Sequence, residues 1–371
     1  MKDEIFTILP AIRMLASRDN HVIATYVEGD IDTAGKLISE VEGMDKNKVL
    51  ELKSSEINTS SLHNHFRKWF GTHKIPPSFV TINDLGSVAI VVPSDMDQLL
   101  SGRICIVTGA GQGFGAGIAE ILFQKGANIV IADINESVGI QMEESLQKLG
   151  LENRAVFIKT DVSDPGSVEK MIKETVMQFG GLDIMISNAG ILRAGGLDEM
   201  ETDTFRLMTE VNYNAFFHCA KYASQVMKVQ TEITPERFCD ILQINSKSGL
   251  QGSKKNFAYA GGKFGGIGLA QSFALELMPY HIKVNAICPG NFFEGPLWSD
   301  PENGLFVQYL KAGKVPGART IKDVKEHYEH QVPAGRGCKV EDVVKAILYA
   351  IDQEYETGQA IPVTGGQVML H

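Results

Sequence analysis

Short apolar runs alternate with longer amphipathic stretches from about Arg103 to the end of the chain. Ile104-Cys-Ile-Val107, Asn128-Ile-Val-Ile-Ala132 and Ile184-Met-Ile-Ser187 are too short for helices and lack polar alternation. Such runs suit strands buried on both faces of a parallel sheet. The pattern predicts strands at 103–108, 128–132, 155–159, 182–187, 240–244, 282–287 and 359–362. Helices fill the gaps, including one from about Thr202 to Val229 and one from about Phe257 to Met278. This is the signature of an α/β fold: a Rossmann-type doubly wound parallel sheet of about seven strands with helices on both faces.

The first 99 residues carry a different pattern. Leu9–Leu15 reads as helix, His21–Val27 as strand and Thr33–Val41 as an amphipathic segment. Ser78–Ile82 and Ser87–Val92 read as strands of a hairpin turned by Asn83-Asp-Leu-Gly86. Residues 1–99 therefore form a small extra α/β domain of unassigned role, and residues 100–371 the larger one. His63 and His65 lie in a polar stretch with no third ligand and read as exposed side chains.

Between the first predicted strand and its helix stands Thr108-Gly-Ala-Gly-Gln-Gly-Phe-Gly115. Strand, glycine turn and helix in that order place backbone N–H groups at a helix N-terminus, where a pyrophosphate binds. Gly109 permits the tight turn, and Gly113 and Gly115 permit close approach of the backbone. Gln112 and Phe114 complete the loop. The second strand ends at Asp133, about twenty residues past the glycines, the place of an acid that takes ribose hydroxyls and repels a 2′-phosphate. Neither Ile134 nor Asn135 is basic, which favours NAD over NADP.

Downstream, Tyr259-Ala-Gly-Gly-Lys263 follows Ser246 by thirteen positions. Residues four apart share a helix face, so Lys263 should lie beneath Tyr259. A free tyrosine is a poor base near neutrality, and a neighbouring ammonium favours the phenolate. Ser246 is placed to hydrogen-bond a substrate oxygen.

In this order, the motifs resemble the short-chain dehydrogenase/reductase family over roughly three-quarters of the chain. They include the glycine loop, Asp161-Val162, Asn188-Ala189-Gly190, Asn212, Ser246, Tyr259-x-x-x-Lys263 and Pro289-Gly290. The resemblance implies that Asn212, Ser246, Tyr259 and Lys263 are catalytic, that Lys263 also binds the nicotinamide ribose, and that Asn212 holds a relay water. It further implies an adenine contact at Asp161 and a turn at Asn188–Gly190 beside the cofactor. Two departures stand out: Asn245 precedes Ser246 where the family often has a second serine, and Asn291 follows Pro289-Gly290 where it often has a threonine.

A narrower likeness, carried by Ser246-Lys-Ser-Gly249, Gly252-Ser-Lys254, the segment from Pro296 to Gly337 and the ending Val363–Met369, is to the sorbitol-6-phosphate 2-dehydrogenase subgroup. It implies NAD-dependent interconversion of sorbitol 6-phosphate and fructose 6-phosphate. A phosphorylated substrate needs cations, and Lys247, Lys254 and Arg193 lie beside the motifs. Lys311, Lys314 and Arg319 dot the expected lid. Two other readings remain: a family member acting on another polyol, a hydroxy acid or a 3-ketoacyl substrate, and an NAD-sensing binding protein without turnover.

Composition narrows the partners. The 371 residues carry a net charge of −10, and neither part is basic, which argues against nucleic acid or an anionic membrane surface. No apolar run approaches a membrane span. Five cysteines without a Cys-x-x-Cys, and nine histidines without a His-x-x-x-His, suggest reduced thiols, a cytoplasmic setting and no metal site. The family resemblance implies a homodimer or homotetramer.

Overall fold

A computed structural model describes residues 2–369 apart from Asp19, 30–44, Lys46, Ser253, Asn303, Ala312 and Lys314. The expected segment Thr33–Val41 and the lid residue Lys314 therefore lie outside the described residues.

Four strands come first: β1 (Ile23–Val27), β2 (Val49–Leu52), β3 (Phe79–Ile82) and β4 (Gly86–Val91). They form a sheet in the order β1-β4-β3-β2. β3 and β4 make the expected antiparallel hairpin, and β2 pairs with β3 in parallel. Helices Lys2–Ala16 and Thr59–Thr72 accompany this sheet. His63 and His65, both half-exposed on the second helix, stand two residues apart and so point in different directions.

The larger sheet has β5 (Ile104–Thr108), β6 (Asn128–Asp133), β7 (Ala155–Lys159), β8 (Ile184–Ser187), β9 (Cys239–Ile244), β10 (Ile282–Pro289) and β11 (Ala360–Val363). It is parallel throughout, in the order β11-β10-β9-β8-β5-β6-β7. The order reverses between β5 and β8, and ligands of open α/β sheets bind at such a switch point, beyond the carboxyl ends of the strands. Every residue of β5, β6, β8, β9 and β10 is buried, because helices cover both faces. Ile118 and Leu122 of helix Gly113–Gln124 and Val343 and Ile347 of helix Val340–Asp352 pack on one side. Phe179, Phe216, Val226 and Ala270 of helices Pro165–Phe179, Ala215–Ile233 and Phe257–Leu277 pack on the other.

The second of these clusters continues into the first hundred residues. Ile5, Leu9 and Ile12 belong to the same buried core as Phe179 and Val226. At its edge Arg13, fully buried, pairs with Asp183 through both guanidinium ends, at 3.0 and 2.7 Å. Arg13 also donates to the carbonyls of Val22 and Gly102. Asp183 in turn accepts from the N–H of Ile104 and from Gln230 Nε2. The amino-terminal helix is thus fastened to the amino-terminal end of the large sheet, opposite the switch-point cleft.

One expected helix differs. The helix starting at Thr202 runs to Ile233, but Glu210–Asn214 form a π-turn within it. After β10 the chain builds a cover from helices Pro296–Ser299, Leu305–Lys311 and Ile321–His330. Phe293, Trp298, Phe306 and Tyr328 hold it together, with the Phe293 and Trp298 rings edge to face at 4.9 Å.

Candidate functional site

The glycine loop leaves β5 and enters helix Gly113–Gln124. Gly109 and Gly113 take φ of 64° and 62°, a region closed to most side chains. A Cβ at Gly115 would collide with the Gly109 carbonyl, and one at Gly111 with Val138. Gly111 lies outside the three glycines that the motif spacing singles out, yet only glycine fits there. Its N–H donates to Asp133 Oδ2 at 2.9 Å, while Asp133 Oδ1 accepts from the Asn135 N–H. The Asp133 carboxylate, at the end of β6, is therefore fixed beside the loop. Gln112 precedes the helix, and the ring of Phe114 stacks on Phe292 at 4.2 Å, linking the loop to the segment after β10.

Two further turns border this cleft. Asn188 Nδ2 donates to the Thr108 carbonyl at 2.8 Å, and Thr108 Oγ1 accepts from the N–H groups of Asn188 and Ala189. Thr108 is the unpredicted partner that locks the Asn188–Gly190 turn onto β5. Asp161 Oδ1 accepts from the backbone and hydroxyl of Ser163, and neighbouring Val162 is buried. Gly290 follows Pro289 at the end of β10, and its N–H donates to the Val363 carbonyl. The loop, Asp133, Asp161, Asn188–Gly190 and Pro289-Gly290 all lie at the carboxyl ends of their strands. Backbone cradles that exclude side chains, with a carboxylate at the second strand's end, fit a dinucleotide.

The four candidate catalytic residues meet beside that cradle. Tyr259 and Lys263 share a face of helix Phe257–Leu277, with the Lys263 Nζ 5.5 Å from the centre of the Tyr259 ring. Lys263 is buried and donates to the Ile244 carbonyl at 2.8 Å. Ser246, just past β9, lies near enough to the Tyr259 phenol to lower its pKa and accepts from the Ser248 N–H. Asn212 sits on the π-turn, where its amide exchanges hydrogen bonds with the backbone of Ile191 at 3.0 and 2.9 Å. A π-turn shifts the following residues off the regular helical face, and such turns recur at functional sites.

The electrostatics differ from the expected pattern. Burial pushes the Tyr259 pKa above its ordinary value, nearby Ser246 only partly offsets this, and buried Cys288 adds to the rise. Burial likewise pushes the Lys263 pKa down, to about 8. The phenol is therefore neutral, where the spacing alone suggested a phenolate. Cys288 of β10, facing this group, is itself pushed up to about 12 by burial, so its thiol stays protonated. Asn245 replaces the family's serine with a brace: its Nδ2 donates to Gln243 Oε1 and to the Lys263 carbonyl.

The three candidate substrate cations are not equivalent. Lys247 is half-buried beside Ser246, burial lowers its pKa, and no carboxylate pairs with it among the described residues. Arg193 and Lys254 are exposed on neighbouring loops joined by the Gly195–Lys255 backbone hydrogen bond. Lys311 and Arg319 are exposed on the cover.

Comparison with known proteins agrees with this geometry. A family model described as short chain dehydrogenase matches residues 103–297. The chain is 33% identical over 271 residues to the sorbitol-6-phosphate 2-dehydrogenase of Escherichia coli, covering 72% of this chain and 99% of that protein. It is 28% identical to the trans-4-hydroxycyclohexanecarboxylate dehydrogenase of Sinomonas cyclohexanicum, over 74% of this chain and 96% of the relative. Among solved structures, that of sorbitol-6-phosphate 2-dehydrogenase from Erwinia amylovora superposes with a TM-score of 0.65 at 36% identity, covering 72% of this chain and all of the other. The chain belongs to the short-chain dehydrogenase family, whose members are oxidoreductases using nicotinamide dinucleotides. Among the described residues no helix is long and apolar enough to cross a membrane.

Proposed function

We propose that this protein interconverts sorbitol 6-phosphate and fructose 6-phosphate with NAD, acting as a cytoplasmic homo-oligomer. Lys247 carries the substrate assignment. A half-buried ammonium without a carboxylate partner bears a desolvation cost that a substrate phosphate can offset. The named activity of the Escherichia coli and Erwinia amylovora relatives supports the same choice. Asp133 supports NAD, because its fixed carboxylate would repel a 2′-phosphate.

In polyol oxidation the Tyr259 phenolate takes the proton of the C2 hydroxyl while the C2–H bond breaks. A bound nicotinamide supplies the acceptor for the hydride. Ser246 donates a hydrogen bond to the substrate oxygen as the carbonyl forms. Lys263, tethered to the Ile244 carbonyl, would hold the nicotinamide ribose. Asn212, held by Ile191, positions a water that carries the proton outward. In ketone reduction the neutral phenol is already the proton donor.

Steady-state rates on sorbitol 6-phosphate and on sorbitol, each with NAD and NADP, test the reading. Sorbitol 6-phosphate with NAD should give a kcat/KM at least tenfold above the other three pairs. Equal rates on sorbitol would remove the phosphate assignment, and a preference for NADP would remove the role given to Asp133.

A further inference from the structure

A cavity of about 270 Å³ lies between the first hundred residues and the dehydrogenase core, lined by Asn20, His21, Gln98, Ser101, Arg103 and Arg237. It opens to solvent past the half-exposed Met96 and Leu99. Arg103 immediately precedes β5 and Arg237 stands two residues before β9. The cavity is therefore at the amino-terminal ends of the strands, whereas the candidate catalytic residues and the glycine loop occupy the carboxyl ends.

Its lining is rich in groups with nothing to bind. Arg103 Nη1, Arg237 Nη1, His21 Nδ1 and Gln98 Oε1 are buried atoms without a hydrogen-bond partner. Unsatisfied buried polar atoms are rare in native proteins, and each calls for a physical reason. Local charge shows the same imbalance. Asp183 is taken by Arg13 and Asp240 by Lys283, at 2.7 and 3.1 Å. Arg103 reaches Asp240 only at 4.0 Å, and Arg237 donates to the Ser17 carbonyl rather than to an acid. Glu236, which also acts on Arg237, is exposed. Arg103 is thus offset only by its 4.0 Å approach to Asp240, whose two buried oxygens also lack a hydrogen-bond partner, and Arg237 has no ion pair among the described residues.

We propose that this cavity is a binding site for a phosphate dianion, free or as a small phosphomonoester, distinct from the catalytic cleft. Arg103 and Arg237 offer planar forks that match phosphate oxygens. His21 supplies a ring nitrogen, and Gln98 Oε1 accepts from a protonated oxygen or an ester hydroxyl. A dianion would meet the Arg237 guanidinium, which no carboxylate pairs among the described residues, and the Arg103 guanidinium, which Asp240 offsets only in part. Because His21 and Gln98 come from the amino-terminal segment and Arg103 and Arg237 from the catalytic one, binding would clamp the two together.

Thermal unfolding of the full-length protein tests this, with sodium phosphate or glycerol 3-phosphate compared with chloride at equal ionic strength and saturating NADH. The melting temperature should rise by about 3 °C or more at saturating phosphate. The rise should vanish in Arg237→Gln and persist in Lys247→Met, which lacks the candidate cleft cation. The better ligand of the two distinguishes free phosphate from a phosphomonoester. No rise in the native protein, or a rise kept by a folded Arg237→Gln, overturns the proposal. Should Arg237→Gln fail to fold, judged by NADH binding, anomalous diffraction from native crystals soaked in selenate decides. A peak between Arg103 and Arg237 supports the site, and an empty cavity overturns it.

Discussion

A phenol held neutral by burial is already the acid that ketone reduction needs, and Tyr259 is such a phenol. In the proposed oxidation its proton leaves first, through Lys263 and the Asn212 path. At this scale the proposed substrate rests on Lys247. An ammonium–phosphate hydrogen bond is worth about 1.5–3 kcal/mol, or roughly 10- to 100-fold in affinity. Lys247→Met should therefore raise the KM for sorbitol 6-phosphate by that factor while leaving the slow rate on sorbitol unchanged, as measured in parallel assays. Equal losses on both substrates would mean that Lys247 only supports the fold around Ser246. The pairing of Tyr259 and Lys263 was readable in the sequence because a helix puts i and i+4 on one face. The protonation state was not, because it depends on how completely β9, β10 and the helix shut out water. Gly111 and Thr108 escaped notice for a similar reason: their roles exist only once β6 and β8 lie alongside β5.

Among the elements, the amino-terminal helix shows how the added segment is held. Arg13 lies at full burial with two bonds to Asp183. Burial alone would raise the Asp183 pKa, but Arg13 and its hydrogen bonds outweigh that and hold the carboxyl well below its usual range. Removing one partner of a buried pair strands the other charge, so Arg13→Ala should destabilise the protein by about 3–5 kcal/mol in denaturant unfolding. A loss below about 1 kcal/mol would mean that solvent reaches Asp183. His21, close to this pair, is pushed down to about 3 by burial. A histidine whose folded pKa lies below its unfolded value of about 6.5 contributes stability in full above that pH and loses it as pH falls. The depressed Asp183 acts in the same sense lower down, below about pH 4. His21 therefore pulls the melting temperature down from about pH 6.5 toward 4, against the opposite pull of Asp240, whose carboxyl burial raises to about 6, and His21→Gln should remove the His21 part of the slope. Parallel slopes in the two proteins would contradict the burial of His21. The strands β5 and β6 were legible because they are short, nearly unbroken apolar runs, buried throughout. β2 and helix Thr59–Thr72 were not, since β2 has only four residues and the helix buries only Leu62 and Phe66 within a polar run.

For the molecule as a whole, the parallel sheet separates two jobs by its polarity. Carboxyl ends of the strands gather the glycine cradle, Asp133 and the Tyr259 group, while the amino ends meet the added four-stranded sheet through a shared core. The family match begins at residue 103, so the added segment lies outside the matched dehydrogenase unit. Three of its four strands could be read from the chain, whereas its seat on the dehydrogenase could not, because Arg13 and Asp183 are 170 positions apart. The proposed catalysis, in either direction, rests on Tyr259 as the proton-transferring group. Reduced-nicotinamide absorbance during sorbitol 6-phosphate oxidation, compared between native protein and Tyr259→Phe, tests this most directly. Turnover should fall by roughly a thousandfold or more in the variant with NADH binding intact, since the ring remains and only the hydroxyl that transfers the proton is gone. A variant that binds NADH and still turns over within about tenfold of the native rate would contradict it.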